Sequence, residues 1–187
     1  MMITKKYARQ SIKMLRENYD IDFVTINSKI ICDKIIESAE YSAAQNLYVY
    51  MSFNNETDTS YLIDRAVSDG KKIFIPKVVG DDMIFYRYYP ENVISGYMGI
   101  IEPDATTATG DGCEGMLIVP GVAFDRKCNR TGYGKGFYDR YIMTHPKLFK
   151  AGIGFEQQIF DELEVDEYDQ PLDVVFSEKK IYRRLTI

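Results

Sequence analysis

Histidine is nearly absent from this chain. Its 187 residues include one, His145, and three cysteines, Cys32, Cys113 and Cys128, with no C-x-x-C spacing. So few nitrogen and thiolate donors argue against a zinc site, which draws its ligands from clustered histidines and cysteines. A nucleophilic mechanism with a histidine base would depend on His145 alone, which precedes Pro146 at the expected end of a helix. The cysteines, odd in number and scattered, read as thiols in a reducing compartment rather than as a disulfide framework. No apolar run approaches the roughly 18 residues that cross a bilayer, so no membrane partner is expected. The opening residues, MMITKKYARQ, lack the apolar core of a secretory signal, and a cytoplasmic location is expected. Positive charge is also in the minority: the net charge is −5, so the surface as a whole repels polyanions. No nucleic-acid partner is expected, although a local basic pocket is allowed. Low-complexity tracts, internal repeats and long linkers are missing too.

What is present suits an ordinary folded domain, with 45% hydrophobic and 27% charged residues. The length predicts one domain over residues 1–187, as a monomer or weak homodimer. Residues Ile3 to Asn18 read as a helix with Ala8, Ile12 and Leu15 on one face and Lys5, Arg9, Lys13 and Arg16 beside them. Asn27 to Ser42 reads as a second helix. Asp58 or Thr59 can cap a third, ending at Asp69 before Gly70. Strands are expected at Leu47–Met51, at Ile73–Ile75 (stopped by Pro76) and at Met83–Tyr88. Further strands are expected at Met116–Val119, Ala151–Gly154, Val174–Phe176 and Ile181–Leu185. The apolar Met116–Val119 run fits a strand buried on both faces. Alternating strands and helices predict an α/β fold: a layered, mainly parallel sheet with flanking helices and an N-terminal helical segment packed on the domain. Ligands in such folds gather at the carboxyl ends of the strands.

One segment follows a strand and leads into a helix. It runs from Pro120-Gly121 through Arg130 and three alternating glycines, Gly132, Gly134 and Gly136, with Lys135 among them and Asp139 close behind. Glycines at that spacing let backbone N–H groups approach a ligand. Lys135 adds a mobile cation, Arg130 a fork suited to phosphate oxygens, and an acid just after a phosphate cradle is where a divalent cation would be held. The segment matches neither the P-loop pattern nor G-x-G-x-x-G. Three alternating glycines also describe a plain surface turn, and Asp139 also fits a carboxylate stabilised by the helix dipole. The basic stripe on the first helix equally describes a solvated face. Glu56 lies in the polar loop Asn54–Asp58. Met98–Pro103 reads as a structured loop, and Tyr168–Asp173 carries two acids just before a strand.

Taken in order along the chain, these segments resemble the 5-formyltetrahydrofolate cyclo-ligase family, also called methenyltetrahydrofolate synthetase. Lys5 and Arg9 resemble its K-x-x-x-R element, and Gly99-Ile100-Ile101-Glu102-Pro103 its GIxEP stretch. Pro120 to Arg140 is similar to the signature PGxxFD…NRxGxGxGYYDR, and Asp169…Asp173-Val174-Val175 resembles its C-terminal D-x-x-x-D-x-V element. The resemblance implies an enzyme that converts 5-formyltetrahydrofolate to 5,10-methenyltetrahydrofolate with ATP and Mg²⁺, phosphorylating the formyl oxygen and releasing ADP and phosphate. It implies that Lys5, Arg9, Arg130, Thr131, Gly132, Tyr133, Gly134, Lys135, Gly136, Phe137 and Tyr138 bind ATP, with Lys135 and Arg130 catalytic. Met51, Glu56, Tyr133 and Phe137 are implied to seat the folate, and Asp139 and Asp173 to hold Mg²⁺. Four positions depart from the pattern. Thr131 and Tyr133 stand where Leu and Arg are common, Phe137 replaces a tyrosine, and Tyr168 takes the place of a frequent histidine.

Overall fold

The structure, a computed structural model, describes residues 2–96 and 99–185. Side chains set the helix boundaries. Helix α1 (Lys5–Glu17) begins where the Thr4 hydroxyl accepts a bond from the Tyr7 N–H. Helix α2 (Ile21–Ile36) begins six residues before the expected Asn27, because the Asp20 carboxylate accepts from the Phe23 N–H at 2.7 Å. It also stops short of Ser42. The Ser38 hydroxyl accepts from the Tyr41 N–H and starts a new short helix, α3 (Ala39–Ala43). Before α4 (Ser60–Ser68), Asp58 rather than Thr59 supplies the capping oxygen, accepting from the Ser60 N–H at 2.9 Å. Gly70, at φ +73°, turns the chain out of that helix as its position predicts.

Between and after these helices run strands β1 (Asn46–Tyr48), β2 (Lys72–Val79), β3 (Asp82–Arg87), β4 (Val93–Ser95), β5 (Ile101–Pro103), β6 (Met116–Val119) and β7 (Ala123–Asp125). Then come β8 (Arg130–Thr131), helix α5 (Phe137–Thr144), β9 (Phe149–Ile153), β10 (Ile159–Phe160), β11 (Val174–Phe176) and β12 (Ile181–Arg183). Seven of the strands form one sheet in the order β12-β11-β9-β6-β1-β2-β3, parallel from β11 to β2 and antiparallel at both edges. The expected mainly parallel layered α/β fold is therefore present.

Alternation along each strand sends side chains to opposite faces. Leu47, Met116, Ile118, Ala151, Ile153, Val174 and Phe176 join α2 and α4 residues such as Ile31, Ile35, Leu62 and Ala66. Tyr48, Leu117, Val119 and Val175 join Tyr141 and Ile142 of α5 on the other face. Strand β2 runs on through Pro76, where the sequence predicted a stop. The Tyr88 N–H bonds the Ile73 carbonyl, so Phe74 and Pro76 turn their backbone groups toward β1, whose pairing has ended at Phe74. The N–H that proline lacks breaks no ladder bond there.

Two smaller sheets were not anticipated from the sequence: β4 with β5, and β10-β7-β8. Helix α1 packs Ala8 and Ile12 on Val122, Ala123 and Leu163 beside the second of these. That is the expected docking of the N-terminal helix. Met98, at the head of the anticipated Met98–Pro103 loop, lies outside the described residues.

Candidate active site

Strands β1 and β6 are parallel neighbours, so the chain leaves both at the same edge of the sheet. One exit leads to Met51 and Glu56, the other to Pro120 and the glycine-rich loop. That loop is shaped by backbone that only glycine adopts readily: φ is +98° at Gly134 and +68° at Gly136. Gly132 is needed for space, since a Cβ there would lie 2.7 Å from the Arg130 Nη1. Arg130 is buried under the loop. One guanidinium nitrogen donates to Asp139 Oδ2 at 2.8 Å and the other to the Pro120 carbonyl at 3.2 Å, and the cation lies 5.7 Å from the Tyr138 ring centroid. The fork expected to meet phosphate is thus engaged by the protein itself and props the loop from beneath. Lys135 is exposed at the tip. Its side chain has no hydrogen bond or ion pair among the described residues. Helix α5 opens at Gly136 without a side-chain cap, leaving its N-terminal dipole for an anion.

A cavity of about 300 Å³ lies beside this helix start, lined by Gly136, Asp139, Arg140, Met143, Tyr168 and Asp169. The Asp139 carboxylate also accepts from the Gln170 N–H at 3.2 Å, which ties the 168–170 segment to α5. Asp173, the expected second metal acid, is not among the lining residues. It directly precedes β11, which places it at the amino edge of the parallel sheet. There its carboxylate accepts from the Lys150 N–H at 2.7 Å and pairs with the Lys150 ammonium at 3.0 Å. Asp169, four residues earlier, is the acid that shares the cavity with Asp139. Among the described residues no group of three or more His, Cys, Asp or Glu side chains converges.

One face of α1 supplies the remaining cations. Lys5 pairs with Asp166 at 2.6 Å and Asp169 at 2.5 Å. Arg9, one turn on, donates to the Gly132 carbonyl at 2.8 Å, and its guanidinium carbon would sit 3.8 Å from a Cβ at Gly134. Arg16, two turns further, donates to the Gly121 carbonyl at 3.0 Å and to the Tyr133 hydroxyl. Lys13 stays exposed. The stripe is therefore divided, with Lys5, Arg9 and Arg16 against the site and Lys13 in solvent. Sequence reasoning included Arg16 in the stripe but not in the site. Its spacing of seven from Arg9, two helical turns, was the available signal.

Glu56 is only 9% exposed. Burial raises its pKa, against the lowering effects of a hydrogen bond from Tyr133, the Arg16 charge and the Phe53 N–H. Tyr133 reaches over from the glycine-rich loop and donates its hydroxyl to Glu56 Oε1; the Phe53 N–H holds Oε2 at 3.2 Å, and Arg16 Nη1 stands 3.8 Å from Oε1. Two segments far apart in sequence thus meet at one carboxylate. Met51 packs partly buried on the core below. Phe137 lies under the Arg140 guanidinium at 5.1 Å, and the Tyr138 hydroxyl is held neutral by burial and by the nearby Glu56 charge.

A parallel α/β sheet with a lysine-bearing glycine-rich loop at its carboxyl edge, clamped by a cationic helix, has the form of an α/β small-molecule enzyme with its site at the carboxyl ends of the strands. The comparisons make this specific. The sequence pattern of the 5-formyltetrahydrofolate cyclo-ligase family matches residues 2–178, and the chain belongs to that family. A Schizosaccharomyces pombe protein described as "Probable 5-formyltetrahydrofolate cyclo-ligase" is 34% identical over 175 residues, covering 83% of this chain and 85% of its own. The 5-formyltetrahydrofolate cyclo-ligase of Escherichia coli K12 is 31% identical over 147 residues, covering 74% and 81%. The NMR structure of Aquifex aeolicus 5,10-methenyltetrahydrofolate synthetase superposes with a TM-score of 0.85 at 29% identity, covering 96% of this chain and 92% of that one.

Proposed function

We propose that this protein is a 5-formyltetrahydrofolate cyclo-ligase, converting 5-formyltetrahydrofolate and ATP to 5,10-methenyltetrahydrofolate, ADP and phosphate. One observation carries the reading: the buried Glu56 and the glycine-rich loop, whose Lys135 has no partner among the described residues, meet through Tyr133. A carboxylate fit for the amino-pyrimidinone edge of a pterin therefore adjoins a loop fit for phosphates.

The formyl oxygen is a poor leaving group because it belongs to an amide. Its attack on the γ-phosphorus expels ADP and leaves a phosphorylated, electrophilic carbon. N10 of the folate then attacks that carbon and loses its proton, and phosphate departs with the former formyl oxygen. Such a reaction needs positioning and charge neutralisation rather than a protein nucleophile. Lys135 and the Gly132–Gly136 amides receive the phosphates. Lys5 and Arg9 close from α1, and Phe137 and Tyr138 line the helix start. Arg130 keeps Asp139 and the loop in place. Met51 lies beneath the folate and Glu56 bonds its pterin edge.

The acids on the cavity wall suit a hard cation such as Mg²⁺, which takes oxygen ligands and keeps several waters. Asp139 and Asp169 would hold it, with Lys5 giving up Asp169. Asp173 could join only if its pair with Lys150 opened. When bound, the ion would neutralise charge on the phosphate oxygens. The same reading makes residues 1–187 one catalytic domain, monomeric or weakly dimeric. A reducing compartment such as the cytoplasm suits its three free cysteines.

The test is direct. Purified protein with 5-formyltetrahydrofolate, ATP and Mg²⁺ should generate the methenyltetrahydrofolate absorbance with stoichiometric ADP. ATP binding without that product under any reduced folate would instead identify a nucleotide-binding module.

A further inference from the structure

Tyr133 stands where the family pattern commonly has arginine, and it makes a contact that the loop's phosphate role does not need. The residue is 59% exposed, yet its hydroxyl end reaches in to Glu56 Oε1 while accepting a bond from Arg16. The pKa of that hydroxyl is raised, first by burial and then by the Glu56 charge, so it remains a donor. Glu56 Oε2 is taken by the Phe53 N–H. Both carboxylate oxygens therefore already hold donors. An amino-pyrimidinone edge presents two adjacent N–H donors to a carboxylate, and it can face one that is only 9% exposed only when the side chain covering it moves aside.

The backbone N–H belongs to the same turn as Glu56 and is fixed by it. The tyrosine is the movable one, because it hangs on a loop hinged by Gly132 and Gly134, the latter at φ +98°. We propose that Tyr133 is a positioning residue that occupies the pterin place on Glu56 in the empty enzyme, and that folate, by displacing its hydroxyl, shifts the glycine-rich loop into its nucleotide-binding position. This rests on the cyclo-ligase reading and adds to it a coupling between the two substrates. A charge partner is ready for the displaced state, since Arg16 is already 3.8 Å from Glu56 Oε1. Tyr50 and Tyr138, the other titratable side chains near Glu56, stay neutral by burial and supply no competing charge.

The geometry fixes the sign of the test. Removing the hydroxyl removes a competitor for Glu56, so Tyr133→Phe should bind 5-formyltetrahydrofolate more tightly, by about 10- to 100-fold for a hydrogen bond to a charged acceptor. A contact that merely helped to bind folate would give weaker binding instead. The nonhydrolysable ATP analogue AMP-PNP should bind wild type more tightly when 5-formyltetrahydrofolate is present, and Tyr133→Phe should lose most of that gain, because its loop is no longer held by Glu56. Trypsin offers a structural readout: 5-formyltetrahydrofolate alone should change the rate of cleavage after Lys135 in wild type and not in the variant. Tyr133→Leu, which also lacks the hydroxyl, must move every quantity in the same direction. Weaker folate binding in both variants, or unchanged coupling to AMP-PNP, overturns the proposal even if wild type turns over normally. A wild-type enzyme that forms no methenyl product overturns the cyclo-ligase reading itself, and this inference with it.

Discussion

At the scale of the residue, the site divides cations into those held by the protein and one left for ligand. Arg130, Arg16 and Lys5 all have protein acceptors, whereas Lys135 has none among the described residues. Lys135→Ala should therefore leave the melting temperature unchanged while lowering kcat/KM by about two to three orders of magnitude, the scale of a preorganised transition-state contact. Steady-state kinetics beside a thermal melt measure both.

The acids make a second contrast. Asp169→Asn should raise the Mg²⁺ concentration needed for half-maximal rate, because it removes a carboxylate from the cavity wall. Asp173→Asn should disturb stability through Lys150 more than it disturbs the Mg²⁺ titration. Equal displacement of the two titrations would return Asp173 to the metal.

Glu56 supplies a pH signature. Burial raises its pKa, and a pterin edge needs the ionised form, so kcat/KM for folate should fall on the acid side at a pH above that of an ordinary glutamate. The stability sign is opposite. A raised folded-state pKa means that the folded protein prefers the protonated carboxyl, so this group favours folding at low pH and loses that contribution as pH rises through its folded pKa. Glu56→Gln should then melt higher than wild type at pH 7, with the advantage shrinking as the pH is lowered through that pKa.

At the scale of the element, α1 is a clamp rather than a solvated amphipathic helix. Its apolar face, Ala8 and Ile12, is buried on Val122, Ala123 and Leu163, while Arg9 and Arg16 bond the Gly132 and Gly121 carbonyls of the loop below. The helix thus holds both ends of the glycine-rich segment. Arg9→Ala removes one of these ties and none of the packing. The expected result is a KM for ATP raised about 10-fold, the scale of one lost hydrogen bond to a charged group, with folate KM little changed. Isothermal titration with AMP-PNP separates this from a loss of fold.

At the scale of the whole molecule, the parallel strands place the ends of β1 and β6 side by side, and two loops from different parts of the chain converge there. The sheet that enforces this is buried on both faces. Ile118, in central β6, is fully buried among side chains of α2 and neighbouring strands. Ile118→Ala should cost about 2–5 kcal/mol of stability through lost burial and the cavity left behind. Chemical denaturation would read that loss, and activity at low temperature should survive wherever the fold does.

Much of this was legible in the chain. The strands Met116–Val119 and Val174–Phe176 stand where the apolar runs predict, because a short continuous apolar segment suits a strand covered on both sides. The helix after Gly136 and the turn at Gly70 follow from local backbone preference alone. The glycine-rich loop with Lys135 is equally local, since its shape depends on the conformational freedom of residues adjacent in sequence.

What local pattern left undecided is which distant groups meet. Asp169 and Asp173 look alike in sequence, and only the folded path of the chain leading into β11 leaves one at the cavity beside Asp139 and the other against Lys150. Arg130 reads as a phosphate fork until Asp139 and the Pro120 carbonyl are seen to occupy it. Nothing in the spacing of residues 16, 56 and 133 says that they touch. Side-chain periodicity encodes which face of an element is buried, whereas pairings between elements are set by how the sheet and helices pack, and there the tertiary structure alone decides.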